Sequence, residues 1–178
     1  MDAANVVPMP ASAEDPDPRT VALGQHLRWV HAMLRRDLAS VRELAGRVSE
    51  GAAVSDVREE LSALETRGPL FQLHAACLGY CQLLHSHHGG EDELLFPAVR
   101  RSAPHLGTAV DRLEADHREV AAVLADIERL ADDLDHEPSR RGLVDALNRL
   151  STGLLEHLAY EEETLVPVLD GWTSWPGQ

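Results

Sequence analysis

Two segments of the chain repeat the same arrangement of histidine, glutamate and proline. The first, HHGGEDELLFP, begins at His87, and the second, HLAYEEETLVP, begins at His157. In each segment a glutamate follows the histidine by four positions, which gives the pairs His87/Glu91 and His157/Glu161. Residues four apart lie on one face of a helix, about 6 Å from each other, so each pair can direct an imidazole nitrogen and a carboxylate oxygen at one point. Two facing pairs of this kind predict a metal site.

The composition favours helices as the elements that position these pairs. Aromatic residues make up only 4% of the 178 residues, and the chain is rich in Ala, Leu, Glu and Arg, which favour helices over strands. This length suits one packed core and is short for two domains. We therefore expect a single all-α domain.

Four amphipathic patterns predict four long helices. Apolar residues recur at steps of three and four over residues 20–48, 69–102, 104–132 and 138–170. Placing His31 over His117 also aligns their apolar neighbours, so the first helix pair resembles the second. Four such helices with short connections predict an up-down-up-down antiparallel bundle with the metal site in its core.

The two ends of the chain differ from this central part. Residues 1–18 contain four prolines and lack an apolar period, so we expect a disordered leader. Residues 19–170 are the predicted bundle domain, and 171–178 a short tail. Trp172 and Trp175 in this tail are expected to fold back onto the bundle, with contact to a partner as the alternative. Between the first two helices, Asp56 and Glu59 form a capping-box pattern.

Helical rotation sorts the ten histidines into inward and outward positions. At 100° per residue, His87 shares a face with Tyr80, Leu84, Glu91, Leu94 and Ala98. His31, His117 and His157 each lie in mid-stripe on their helices, whereas His26, His74 and His85 point outward and His88 lies at the boundary. Core histidines held by hydrogen bonds are the alternative. Burying four imidazoles and two carboxylates without a shared partner would cost several desolvation penalties, which favours a metal centre.

The donor types narrow the choice of metal. Imidazole and carboxylate suit iron, manganese or zinc. Carboxylates on facing helices favour two bridged, redox-capable ions over a single tetrahedral zinc.

These motifs resemble the His-His-Glu cation-binding domain of the hemerythrin-like family. The resemblance covers roughly residues 20–170 and rests on His31, His87-x-x-x-Glu91, Asp116-His117 and His157-x-x-x-Glu161. It implies two non-haem iron ions, joined by an oxo or hydroxo bridge when oxidised. It further implies that His31 and His87 hold one ion, that His117 and His157 hold the other, and that Glu91 and Glu161 span both.

One departure from the family changes the expected activity. Oxygen-carrying hemerythrins have a second histidine one turn from the first on the third helix, where this chain has Leu113 and Ala121 around His117. Fewer protein ligands leave more open positions, which favours reaction with peroxide, nitric oxide or oxygen over oxygen carriage. Tyr80 lies about 10 Å from His87 along the helix axis. It is a candidate for an extra ligand or an outer contact, with a plain core tyrosine as the alternative.

The resemblance thus implies a di-iron protein that binds or reacts with oxygen, nitric oxide or peroxide, and it allows redox activity on peroxide or nitric oxide. The alternatives are an iron- or oxygen-responsive binding module, an iron store without turnover, and a structural bundle with a degenerate site. Separate regulatory or effector sequence, which would favour the responsive module, is not evident.

Charge and composition set the expected partners and compartment. The net charge of −14 argues against nucleic acid and anionic membranes, which need clustered cations. No membrane span or signal peptide is evident, so we expect a cytoplasmic protein, either a monomer or a weak homodimer. Cys77 and Cys81 match no redox or zinc spacing and are expected to be buried free thiols.

Overall fold

The computed structural model describes residues 23–50 and 68–172. All regular secondary structure in these ranges is helical, which confirms the all-α class. Helix α1 spans Leu23–Ser49, α2 spans Pro69–Gly90, a π-helical turn spans Glu91–Leu95, α3 spans Phe96–Ser102, a 3-10 turn spans Pro104–Leu106, α4 spans Gly107–Ala131 and α5 spans Glu137–Leu169. The predicted leader, the capping-box pattern at Asp56 and Glu59, and most of the tail lie outside the described residues.

The helices pack as a bundle. Backbone dihedral angles remain in the right-handed helical region at both ends of the π turn, so α2, the π turn and α3 form one continuous rod. Helix α1 packs against α2 and α5, and α4 packs against the same two helices. This arrangement is consistent with the predicted bundle, while its up-down-up-down order remains a prediction. Among the described helices, none is both long and apolar enough to cross a membrane.

Helices α1 and α4 bury matching stripes. The buried positions alternate in steps of three and four, at Leu27, His31, Leu34, Leu38 and Val41 on α1 and at Leu113, His117, Val120, Leu124 and Ile127 on α4. A stripe of this period faces one side of a helix. The predicted alignment of His31 with His117 therefore matches the positions that the two helices bury.

The π turn interrupts the α-helical register next to the first His-Glu pair. The backbone N–H of Phe96 donates to the carbonyl of Glu91, five residues earlier, which widens the turn by one residue. Pro97 explains part of this irregularity, because proline has no N–H and its ring clashes with the carbonyl four residues earlier in an α-helix. The prediction that Leu94 faces inward is wrong: its side chain is 62% exposed, whereas Leu95 and Phe96 are buried.

Two apolar clusters enclose the middle of the bundle. The larger one contains Leu34, Tyr80 and Leu124, and the smaller one contains Leu27, Phe96, Leu113 and Leu165. His31 therefore lies between Leu27 of one cluster and Leu34 of the other along α1. The polar residues of the site are thus placed between two dry layers, where unpaired charge is costly.

Trp172 and the two cysteines were also predicted to be in contact with the bundle core. Trp172 packs against the smaller cluster, as expected of a tail that folds back, while Trp175 lies outside the described residues. Cys77 and Cys81 are both buried and free, which confirms the prediction for them.

Candidate metal centre

The six residues predicted as ligands lie together in the bundle interior. His31 and Glu161 are fully buried, and His157, His117 and Glu91 are each no more than 5% exposed. The side chain of His87 is 10% exposed and lies at the edge of the group. Within the described residues the bundle has four rods, which are α1, the rod of α2 and α3, α4, and α5, and each contributes one of the predicted histidines.

The donor atoms fall into two groups that share a residue. One group consists of His31, His87, Glu91 and Glu161, and the other consists of His88, Glu91, His117 and His157. Within each group, one donor atom per residue lies within 4.8 Å of the others. Metal–nitrogen bonds of about 2.1 Å place adjacent donors about 3 Å apart and opposite donors about 4 Å apart, so these spacings suit a coordinated ion.

Glu91 spans the two groups through its two oxygen atoms. Its Oε1 lies 3.1 Å from Nε2 of His87, and its Oε2 lies 3.5 Å from Nε2 of His117. The carboxylate of Glu161 contacts histidines of both groups through one oxygen, with Oε2 lying 3.3 Å from Nε2 of His31 and 3.7 Å from Nε2 of His157. Both carboxylates therefore lie between histidines of the two groups.

Hydrogen bonds at the outer ring nitrogens orient two of the histidines. Nδ1 of His31 donates to Oε1 of Glu162 at 2.9 Å, and Nδ1 of His117 donates to Oδ1 of Asp92 at 2.8 Å. In the neutral imidazole, a proton on Nδ1 leaves a lone pair on Nε2. Nε2 of His31 faces the carboxylates of Glu91 and Glu161. Nε2 of His117 lies 3.5 Å from Oε2 of Glu91 and 3.2 Å from Nε2 of His157. These atoms surround a position that suits a cation.

The interior atoms of the site lack other hydrogen-bond partners in the described part of the chain. They are Nε2 of His31, His87 and His88, Nδ1 of His157, and both carboxylate oxygens of Glu91 and Glu161. An unpaired buried polar atom costs about 1–3 kcal/mol, and more when it is charged. Bound cations would turn most of these atoms into ligands, so the residues fit a metal centre.

Without a cation, the site would share protons unevenly. Burial and the nearby Glu161 carboxylate raise the pKa of Glu91 to about 8. Burial alone would lower the pKa of His31, but the nearby carboxylates of Glu161 and Glu91 raise it to about 9. Burial lowers the pKa of His87 to about 4, and the positive charge of His31 adds to that effect. Glu91 and His31 therefore hold protons at neutral pH where a metal ion would bind instead.

Residues predicted to point outward lie away from both groups. His85 is exposed and lies 3.6 Å from Glu128, while His26 is exposed and stacks on Trp29. His74 is partly exposed, 3.0 Å from Asp132. None of them belongs to a metal-binding group among the described residues.

Tyr80 is placed in the larger apolar cluster. Its hydroxyl donates to the backbone carbonyl of Leu34 at 3.2 Å. The geometry therefore matches the plain core tyrosine that was the alternative to a ligand.

Sequence reasoning placed His88 only at the boundary of the helix face. Its side chain is buried, with 6% exposure. The signal lay in the apolar stripe of α2, in which Cys77, Cys81 and Leu84 are buried at steps of four and three. A further step of four leads to His88 rather than to His87, so the buried face of α2 is centred between the two histidines.

Two cavities approach the site from different sides. One, of about 270 Å³, is lined mainly by apolar residues, among them Leu23, Leu27, Val30, Leu94 and Leu95, and reaches His87 and Glu91 next to Gly90. The other, of about 210 Å³, reaches His157 and is lined by charged residues, which include Arg112, Asp116 and Arg149. The first group therefore has an apolar approach, and the second has a polar one.

Comparison with known proteins agrees with this donor set. Residues 23–169 match the family model of the hemerythrin HHE cation binding domain. The chain belongs to this family. No curated protein and no solved structure gave a significant match. The predicted resemblance is confirmed, and the two donor groups are the candidate cation-binding residues of this HHE domain.

Proposed function

We propose that this HHE domain holds a carboxylate-bridged di-iron centre, within an antiparallel up-down-up-down bundle, that binds or reacts with a small molecule. The observation that carries this proposal is the position of Glu91, whose two oxygens face histidines of different donor groups. Iron ions bound by imidazole and carboxylate supply redox chemistry and open coordination positions for a small ligand.

Different histidines would bind each of the two ions. His31 and His87 would hold the first ion, and His117 and His157 the second. Glu91 and Glu161 would span both, because each carboxylate lies within 4 Å of histidines from both groups. This donor set is larger than a single tetrahedral zinc needs, which favours a pair of ions of higher coordination number.

The apolar cavity favours a neutral small molecule as the ligand. Leu23, Leu27 and Val30 line its wall and offer no charged partner. The ring of His26 also lines the cavity, but most of the wall is apolar, so an anion that enters would lose much of its hydration. Oxygen and nitric oxide suit this approach better than an anion does, and neutral hydrogen peroxide remains the third candidate.

The chain itself protects and orients the site. Leu34 and Leu113, both fully buried, belong to the apolar layers on the two sides and limit the access of bulk water. Glu162 and Asp92 hold the rings of His31 and His117 by their outer nitrogens. Fixed rings keep the Nε2 atoms in place while a ligand binds or leaves, which lowers the reorganisation cost.

Metal content and ligand reactivity test the proposal. The purified protein, loaded with ferrous iron without oxygen, should retain about two iron ions per chain after desalting, as expected of a bridged dinuclear site. Mössbauer spectra of the air-oxidised protein should show magnetically coupled ferric ions, and nitric oxide should change the spectrum of the reduced protein. Retention of a single ion, or a preference for one tetrahedral zinc, would contradict the proposal.

A second candidate is an iron-responsive module whose fold changes with metal. The observation that favours it is the set of unpaired buried atoms in the site, since binding free energy at such a site contributes to folding. Hydrogen exchange of the metal-free and iron-loaded protein separates the two functions. A module requires large segments of α1 or α5 to lose protection without iron, whereas a reactive centre requires only local change.

A further inference from the structure

His88 has surroundings that the predicted ligand set does not explain. Its ring lies parallel to that of His117, with centroids 4.0 Å apart and planes 9° apart, and edge-on to that of His157 at 5.2 Å. Its Nε2 has no hydrogen-bond partner among the described residues. A buried imidazole of this kind costs free energy unless something binds it.

The donor atoms around His88 suit a metal ligand. Among the described residues, His88 belongs to the same donor group as Glu91, His117 and His157, whose donor atoms lie within 4.8 Å of one another. A neutral imidazole keeps a lone pair on one nitrogen, and this is the form that binds metals.

Helix α4 supplies one histidine to this donor group, because Leu113 and Ala121 lie one turn before and after His117. Leu113 belongs to an apolar cluster and carries no donor atom. The other imidazoles of the group come from different helices, His157 from α5 and His88 from α2, next to His87.

We propose that His88 is a ligand of the second metal ion, so that the adjacent residues His87 and His88 bind different ions. This assignment rests on the proposed dinuclear centre. It gives the second ion three imidazoles, from His88, His117 and His157, and the first ion two. The first ion then keeps more positions open for a ligand, on the side that the apolar cavity reaches.

The test compares His88→Leu with His85→Leu, a matched control on the exposed side of α2. Iron per chain and thermal stability are measured for each protein with and without iron. We expect His88→Leu to lose one of the two ions. Its metal-free form should melt at the same temperature as the wild type or roughly 2–6 °C higher, because an unpaired buried imidazole is removed. His85→Leu should match the wild type in both measurements.

The melting temperature of the metal-free protein separates a ligand from a structural histidine. A structural role predicts that His88→Leu lowers the melting temperature of the metal-free protein, and that result would overturn the assignment. If His88→Leu does not fold, His88→Ala is used, and added imidazole should restore the second ion because it can enter the space left by the ring. Failure of imidazole to restore it would also count against the assignment.

The wild type separates this inference from the proposed function. Two ions in both the wild type and His88→Leu would refute only the role of His88. A wild type that never binds a second ion would refute the dinuclear centre and this assignment together.

Discussion

Glu162 on α5 accepts a hydrogen bond from the outer ring nitrogen of His31 on α1, at 2.9 Å. Arg35, one turn further along α1, donates to the same carboxylate oxygen at 2.7 Å. Because the first bond keeps a proton on Nδ1, Nε2 of His31 is the nitrogen that faces Glu91 and Glu161 and that binds a metal ion when it is not protonated. A residue outside the donor groups thus orients one within them.

Removing the carboxylate charge at this outer contact should weaken metal binding. We expect Glu162→Gln to lower the iron affinity of the site by about 10–100-fold, the usual effect of losing such a partner. Competition with a chelator measures the affinity. Glu163→Gln is the control, since Glu163 is the exposed neighbour. Equal losses in the two variants would mean that net charge, rather than the contact with His31, determines affinity.

Loss of a bridging carboxylate should affect both ions. Glu91→Ala removes the one residue common to the two donor groups, and Glu161→Ala removes the second carboxylate that faces histidines of both groups. We expect each variant to retain less than one ion per chain after desalting, measured by elemental analysis. His85→Ala should retain the wild-type content, and a comparable loss there would contradict the placement of the histidines.

Gly90 offers a way to close the apolar cavity without disturbing the helix. It lines that cavity, and a Cβ built on it meets no atom within 4 Å. Gly90→Leu should therefore fold, fill part of the cavity and slow nitric oxide binding to the reduced protein severalfold, as measured by stopped flow. Gly89→Leu is the control, because a Cβ at Gly89 also meets nothing within 4 Å and Gly89 does not line the cavity.

Xenon binding gives a test of the same cavity that needs no metal. Apolar cavities bind xenon, so the metal-free wild type and Gly89→Leu should both shift the xenon-129 resonance, while Gly90→Leu should not. Unchanged xenon binding in Gly90→Leu would show that the cavity remains open in the variant. If Gly90→Leu no longer binds xenon but still binds nitric oxide at the wild-type rate, ligands enter by another route.

The two cysteines should be unreactive in the folded protein. Burial raises the pKa of the Cys77 and Cys81 thiols to about 12, from an ordinary value of 9.0. The thiolate is the reactive form, so at pH 8 both thiols should react slowly with a disulfide reagent until denaturant is added. Because the folded pKa is raised, folding stability should fall as pH rises above about 9, where thiols of the unfolded chain ionise. Fast reaction of the native protein at pH 8 would contradict this placement.

Local periodicity was enough to predict much of the architecture. The apolar steps of three and four predicted the buried faces of α1 and α4, with His31 and His117 in corresponding places, and both faces are observed. The four-residue spacing of His157 and Glu161 placed both side chains in the interior. These predictions succeeded because the rotation of a regular α-helix is set by its own hydrogen bonds and needs no knowledge of neighbouring helices.

The prediction of inward faces from a rotation of 100° per residue failed where the helix is irregular. Leu94 was predicted inside and is exposed, because the bond from Phe96 to Glu91 spans five residues and shifts every later side chain. The burial of His88 was underestimated because the stripe was centred on His87. Pro97 is the residue in the sequence that indicates an irregular turn here, because a proline inside a helix disturbs the hydrogen bonds of the preceding turn.

The sequence by itself placed four histidines and two carboxylates at helical spacing on the inward faces of their helices. Only the tertiary structure decided how they group. Whether the two oxygens of Glu91 face one ion or two depends on the distances between rods, and the inclusion of His88 depends on the ring of His117 across the bundle. Spacing along one helix is a local property, whereas coordination requires atoms from several helices to converge within a few ångströms.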